Sequence, residues 1–103
     1  MYTLDYMPNA IAEILAIEAD LYAKNPVSAG KFSEAIIKQG ESLISNPFMW
    51  PIYRRNKRFR LMILPYQYLC FYHIDERTKV ITVHHVRNSK QKKPRLRQPK
   101  PVR

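Results

Sequence analysis

The sequence predicts an α+β domain: a short strand, an antiparallel helix hairpin on one face of an antiparallel sheet, and a three-stranded meander completing that sheet. Three observations predict it. Tyr2, Leu4 and Tyr6 alternate with Thr3 and Asp5, the period of a strand. Two apolar stripes at helical spacing follow, separated only by Asn25-Pro26. Three runs rich in β-branched and aromatic residues come next, split by connections short enough for hairpins.

The first strand stops at Met7-Pro8-Asn9, and Pro8 suits the opening turn of a helix, where its missing N–H costs nothing. From residue 9 to about residue 23, Ile11, Ile14, Leu15, Leu21 and Tyr22 follow helical spacing, with Glu13 and Asp20 expected on the wet side. Asn25 can cap a second helix and Pro26 can take its first position. That helix runs to about residue 45, with Phe32, Ile36, Gly40, Leu43 and Ile44 on one face. A glycine inside a helix costs about 1 kcal/mol relative to alanine. Gly40 therefore predicts a close approach of the first helix. Asn46-Pro47 ends the pair.

After a loop containing Trp50, Pro51 and Tyr53, strand-like runs fall at about 58–64, 66–75 and 79–87, divided by Pro65 and by the segment 75–78. From Asn88 onward the chain is polar, basic and broken by Pro94, Pro99 and Pro101. This composition predicts a folded domain over 1–88 and a disordered basic tail over 89–103. At 103 residues a single small core is expected.

Charge is distributed unevenly. Residues 1–49 hold three lysines against six acids, a net of −3; residues 50–103 hold fifteen basic groups against Asp75 and Glu76, a net of +13. Such asymmetry points to an anionic partner: nucleic acid, an acidic protein or, less naturally, a membrane surface. The lone Cys70 sits in an apolar run and reads as packing, in a reducing compartment. A secretion signal and a stretch long enough to span a membrane are both missing from the sequence, so a cytoplasmic protein without a membrane partner is expected.

The middle strand of the meander raises the functional question. Its two faces, Tyr68, Cys70, Tyr72, Ile74 and Leu69, Phe71, His73, are both apolar or aromatic, so neither suits water. The expectation is a second face left for another chain to cover, with packing beneath a long loop such as residues 48–53 as the alternative. In the preceding strand Arg58, Arg60 and Met62 share one side and Phe59, Leu61 and Ile63 the other; the basic side is assigned outward. An apolar and basic hollow of this kind suits an amphipathic acidic peptide or a polyanion. Arg58, Arg60 and Arg87 are expected to converge there, where arginine beside aromatic rings favours phosphate contact. His84 and His85 alternate in a strand and cannot share one metal, and no zinc set is visible. No cofactor is implied. His73 and His85 are conceivable acid–base groups, with a structural role the favoured reading. Paired carboxylates are absent from the second half, so any enzyme here works by cationic stabilisation of a phosphate.

On these residues the chain resembles the RelE/ParE superfamily, toxins of bacterial type II toxin–antitoxin modules. The resemblance spans residues 2 to about 89 and rests on YTLDYMPNAIAEILAIEADLY, the Asn25-Pro26 pair, ESLISNP, PIYRRNKRFRLMILPYQYLCFYHID and VITVHHVR. It implies an α+β toxin whose groove takes a cognate acidic antitoxin, with Met62, Leu69, Phe71 and His73 as antitoxin contacts. Arg54, Arg55, Lys57, Arg58, Arg60 and Arg87 become the contacts to nucleic acid or target. RelE-like members cut mRNA in the ribosome; ParE-like members block DNA gyrase without nuclease chemistry. If this chain cuts RNA, Arg60 and Arg87 are the implied catalytic residues. The RelE-like pattern is incomplete, with Met62 and Leu69 where basic residues are expected and no tyrosine after Arg87. The ParE-like side is favoured. A ribosome-dependent mRNA endonuclease is the alternative, and a non-toxic nucleic-acid-binding module, using Lys90, Lys92, Lys93, Arg95 and Arg97, is a third.

Overall fold

The computed structural model describes residues 1–91, 93, 94 and 96. Its elements run β1 (Thr3–Tyr6), α1 (Pro8–Lys24), α2 (Pro26–Ser45), β2 (Arg60–Leu64), β3 (Tyr68–Asp75) and β4 (Val80–Asn88). The sheet order is β1-β4-β3-β2. The meander β2-β3-β4 is antiparallel, while β1 lies parallel to β4, Thr3 opposite Val80 and Tyr6 opposite Val83. The sheet is thus mixed, an α+β fold with the helix hairpin packed on one face.

One residue organises the helix hairpin. Asn25 donates its N–H to the Leu21 carbonyl at 2.7 Å, closing α1, and its side chain accepts from the Val27 N–H at 3.0 Å, opening α2. The core lies between helices and sheet. Ala10, Ile14, Phe32 and Leu43 meet Met62, Leu64, Tyr68, Cys70, Tyr72, Ile81, Val83 and Val86. Each large side chain fully buried there contributes about 1.5–3 kcal/mol. Phe32 meets the Tyr68 ring edge-on at 5.2 Å, and the buried Tyr72 hydroxyl donates to the Pro47 carbonyl at 2.8 Å. Burial pushes the Tyr72 phenol and the Cys70 thiol each up to about 12, so Cys70 is an inert packing group, as its apolar run implies.

Gly40 has a different neighbour from the one its position suggests. A Cβ there would lie 3.0 Å from Leu4 Cδ2 and 3.3 Å from the Tyr6 hydroxyl, so the element pressing on it is β1, not α1. Helical periodicity reports that a face is crowded; it does not report by what. The strand boundaries also shift. Residues 65–67 form a tight turn in which Tyr66 and Gln67 take φ of 64° and 63°, delaying β3 to Tyr68. Beyond β4, the Ser89 N–H returns to the Gln67 carbonyl at 2.8 Å and the Gln91 N–H to Asn88 at 3.0 Å. Of the tail expected over 89–103, residues 92, 95 and 97–103 lie outside the described residues.

Candidate functional site

β2 turns over relative to the sequence-based assignment. Arg60, Met62 and Leu64 pair with Tyr72, Cys70 and Tyr68, the residues that face the helices. Met62 is only 2% exposed and belongs to the core, so it is closed to an antitoxin; Ile63, on the far face, is 47% exposed. An arginine heads the inward side because β2 is an edge strand. There the Arg60 stem packs inward while its guanidinium reaches backbone carbonyls at the sheet margin. Nη1 donates to the Trp50 carbonyl at 2.6 Å and to Phe48 at 3.5 Å, with the guanidinium 5.1 Å from the Phe48 ring. Arg58 lies outside the strand altogether.

The far face is not open along its length. Residues 51–61 fold back as a small hairpin: the Leu61 N–H donates to Pro51 at 3.0 Å, the Tyr53 N–H to Phe59 at 2.8 Å, and Ile52 bridges Arg60. Two of its rings lie on the sheet. Tyr53 meets Phe71 edge-on at 5.0 Å; Phe59, fully buried, meets His84 at 4.9 Å and His73 at 6.1 Å. Phe71 is therefore buried and His73 half-buried; Leu69 is buried as well. This corrects the expectation of an empty second face. The expected strand 58–64 is in truth the second arm of the small hairpin running into β2, and its first arm carries the covering tyrosine. What stays exposed beside the β2 edge is an apolar row: Phe48, Met49, Ile52 and Ile63.

Arg60 and Arg87 do not converge on one anion. Arg87 lies toward the end of β4, where Glu13 of α1 holds it, Oε2 to Nε at 3.1 Å. The same carboxylate oxygen lies 3.1 Å from His85 Nδ1, and Glu13 Oε1 accepts the Val86 N–H at 3.0 Å. One turn earlier Asn9 donates to the His84 carbonyl at 2.8 Å. The cause is topological. β1 ends opposite Val83, leaving the rest of the β4 edge unpaired, and α1 satisfies that edge with side chains. Glu13 is thus half-buried rather than on the wet side. The Asn9-to-Glu13 spacing of one helical turn is its only trace in the sequence.

The histidines part as expected for neighbours on a strand, with a complication. Tyr72 pairs with Val83 but Phe71 with His85, so His84 is the extra residue of a β-bulge. It packs edge-on against Phe59 and His73, while His85 turns to Asn9 and Glu13. Burial, then the neighbouring His73 and His85, pull the His84 imidazole down to about 4; burial also lowers His73. Both are neutral at physiological pH. Among the described residues no three of His, Cys, Asp and Glu converge as a metal ion would require, and no helix is long and apolar enough to cross a membrane. Of the cations singled out from sequence, Arg54, Arg55, Lys57 and Arg58 stand exposed together at the tip of the small hairpin.

A helix hairpin on one face of a four-stranded mixed sheet is the α+β fold of RelE/ParE-like toxins. The fold is shared with a chromosomal ParDE toxin–antitoxin system of P. aeruginosa, at a TM-score of 0.67 and 19% identity over 87% of this chain and 98% of that one. It is shared also with the isolated RelE toxin of E. coli, at 0.64 and 15% over 89% of this chain and 88% of that one. The chain belongs to the ParE toxin family: the profile described as "ParE toxin of type II toxin-antitoxin system, parDE" matches residues 4–93. Membership in a type II family implies an antitoxin partner. No curated protein matches the chain.

Proposed function

We propose that this chain arrests growth by binding an essential cytoplasmic target, DNA gyrase, without cutting RNA, and that an acidic antitoxin releases the arrest. The observation that carries the non-nuclease reading is the engagement of its two candidate catalytic groups. Arg60 is bound to the Trp50 carbonyl and Arg87 to Glu13, on different elements, and Met62 is in the core. A nuclease working by cationic stabilisation needs free guanidinium groups directed at one phosphate. Family membership supports the same side of the superfamily.

The antitoxin's seat is proposed at the β2 margin rather than deep on the far face. Leu69 and Phe71 are buried, Phe71 against the Tyr53 ring, whereas Phe48, Met49, Ile52 and Ile63 offer apolar surface beside a strand edge. Leu61 donates outward to Pro51, so by antiparallel alternation the Ile63 N–H also points outward, available to an added strand. An amphipathic segment added as a strand covers the apolar row and satisfies that edge together.

Controlled induction, with mapping of RNA ends and a gyrase supercoiling assay on purified protein, tests the reading. The expected result is loss of supercoiling activity with no new RNA ends. Discrete cuts in translated messages, abolished by Arg87→Ala and accompanied by unimpaired gyrase, would replace it with the endonuclease.

A further inference from the structure

The tip of the small hairpin is fixed more tightly than a solvated charge run requires. The Asn56 N–H donates to the Tyr53 carbonyl at 3.3 Å, the Phe59 N–H to Asn56 at 3.0 Å, and the Arg58 N–H to Asn56 Oδ1 at 3.1 Å. Tyr53 and Phe59 then anchor the hairpin to the sheet from either side of the tip. Four cations, Arg54, Arg55, Lys57 and Arg58, are held within five residues, and among the described residues none of them is paired with a carboxylate. Like charges gathered on a rigid turn repel one another. That repulsion persists unless an anion meets it.

We propose that this tip is a binding site for the sugar–phosphate backbone of nucleic acid. Beside it lies a pocket of about 200 Å³ lined by Tyr53, Arg55, Asn56, Lys93, Pro94 and Leu96. Its lining residues pair an arginine and a lysine, whose Nζ also donates to the Ser89 carbonyl at 3.1 Å, with an aromatic ring and two apolar side chains. That is the pairing of needs a nucleotide presents, an anionic phosphate next to a base with a π-face. An acidic peptide does not couple an anion and a π-face within every repeating unit, as a nucleotide does, and a membrane surface would call for apolar residues at the tip, which carries none. The site does not depend on the mode of growth inhibition. It also separates Arg54, Arg55, Lys57 and Arg58 from Arg60 and Arg87, which the sequence groups with them as nucleic-acid or target contacts.

The test is fluorescence anisotropy of the full chain with short labelled single-stranded and duplex oligonucleotides, over a range of salt. The chain is expected to bind, with affinity falling steeply as salt rises. Replacing Arg54, Arg55, Lys57 and Arg58 by glutamine should weaken binding at least about tenfold and flatten the log–log salt slope by about 3, the release expected for four phosphate contacts. The double variant Arg54→Gln/Lys57→Gln should lose about half of that slope. A control removing four exposed cations elsewhere (Lys31→Gln, Arg77→Gln, Lys79→Gln, Lys90→Gln) should leave most of the affinity. Circular dichroism melts establish that each variant is folded. Equal losses in the tip variant and the control would mean diffuse charge and overturn the site. Displacement of the oligonucleotide by polyglutamate at matched charge would overturn it in favour of an acidic protein partner.

Discussion

Glu13 on α1 and Arg87 near the end of β4 are joined at 3.1 Å across 74 positions of sequence, and the same carboxylate takes the Val86 N–H. A side chain of the first helix thereby continues the edge pairing that β1 abandons at Val83. The contact fixes α1 to the sheet and neutralises an arginine that sequence resemblance would otherwise cast as catalytic.

Replacing Glu13 should therefore cost stability rather than unmask chemistry. Glu13→Ala is expected to destabilise the fold by about 1–3 kcal/mol, because a part-buried N–H and a guanidinium lose their acceptor. Glu13→Gln keeps an acceptor for Val86 and should cost less. Urea denaturation measures both. Equal stability of all three proteins would remove the edge-sealing role.

Arg60 is expected to behave as a structural residue. Arg60→Ala leaves the Trp50 carbonyl without its donor and strips cover from the Phe48 ring, a loss of about 1–3 kcal/mol. Arg60→Lys restores one donor and part of the stability. Growth arrest by the alanine variant should track its folded fraction, recovering at lower temperature. An Arg60→Ala protein as stable as the parent would show that these bonds contribute nothing.

Stability should fall on the acid side because of the two histidines packed edge-on, His73 and His84. His84 is held down to about 4 and His73 is also lowered, against an ordinary value of 6.5. Below pH 6.5 the unfolded chain takes up protons that the folded chain refuses. The stability these groups provide is thus complete above pH 6.5 and is lost progressively as pH falls toward 4. His84→Phe keeps the ring against Phe59 and should flatten that part of the profile. Thermal melts across the window compare the two; an unchanged slope counts against His84 as the source.

The turn at 65–67 carries removable strain. Gln67 holds φ of 63°, a left-handed conformation that costs a side-chain-bearing residue about 1–2 kcal/mol. Gln67→Gly should raise stability by about 0.5–1 kcal/mol after the added unfolded-state entropy of glycine is counted. The Gln67 carbonyl still receives Ser89, since only the side chain changes. A lower urea midpoint for the glycine variant would show that the Gln67 side chain supplies more than the strain removes.

Much of this architecture is local and therefore legible in the sequence. The Asn25-Pro26 junction, the stripes through Phe32 and Leu43, and the alternating runs of the meander each encode their element through short-range sterics and periodicity. The face of β2 is not legible in the sequence, because an edge strand can carry Arg60 inward when carbonyls wait at the margin. Charge alone does not reveal which side a residue takes there. Gly40 signalled crowding without naming β1. Glu13 looked solvated because its partners lie more than seventy residues away.

The amino-acid sequence by itself determined the order of elements, the cationic second half and the likeness to a toxin superfamily, since these follow from composition and near-neighbour pattern. Where the cations go follows from packing between distant elements. Backbone carbonyls claim Arg60, a helix carboxylate claims Arg87, and a hairpin folded over the far face leaves four cations at its tip. Those outcomes depend on which unpaired edge meets which distant side chain, a question settled by packing in three dimensions and by the cost of leaving polar groups unsatisfied.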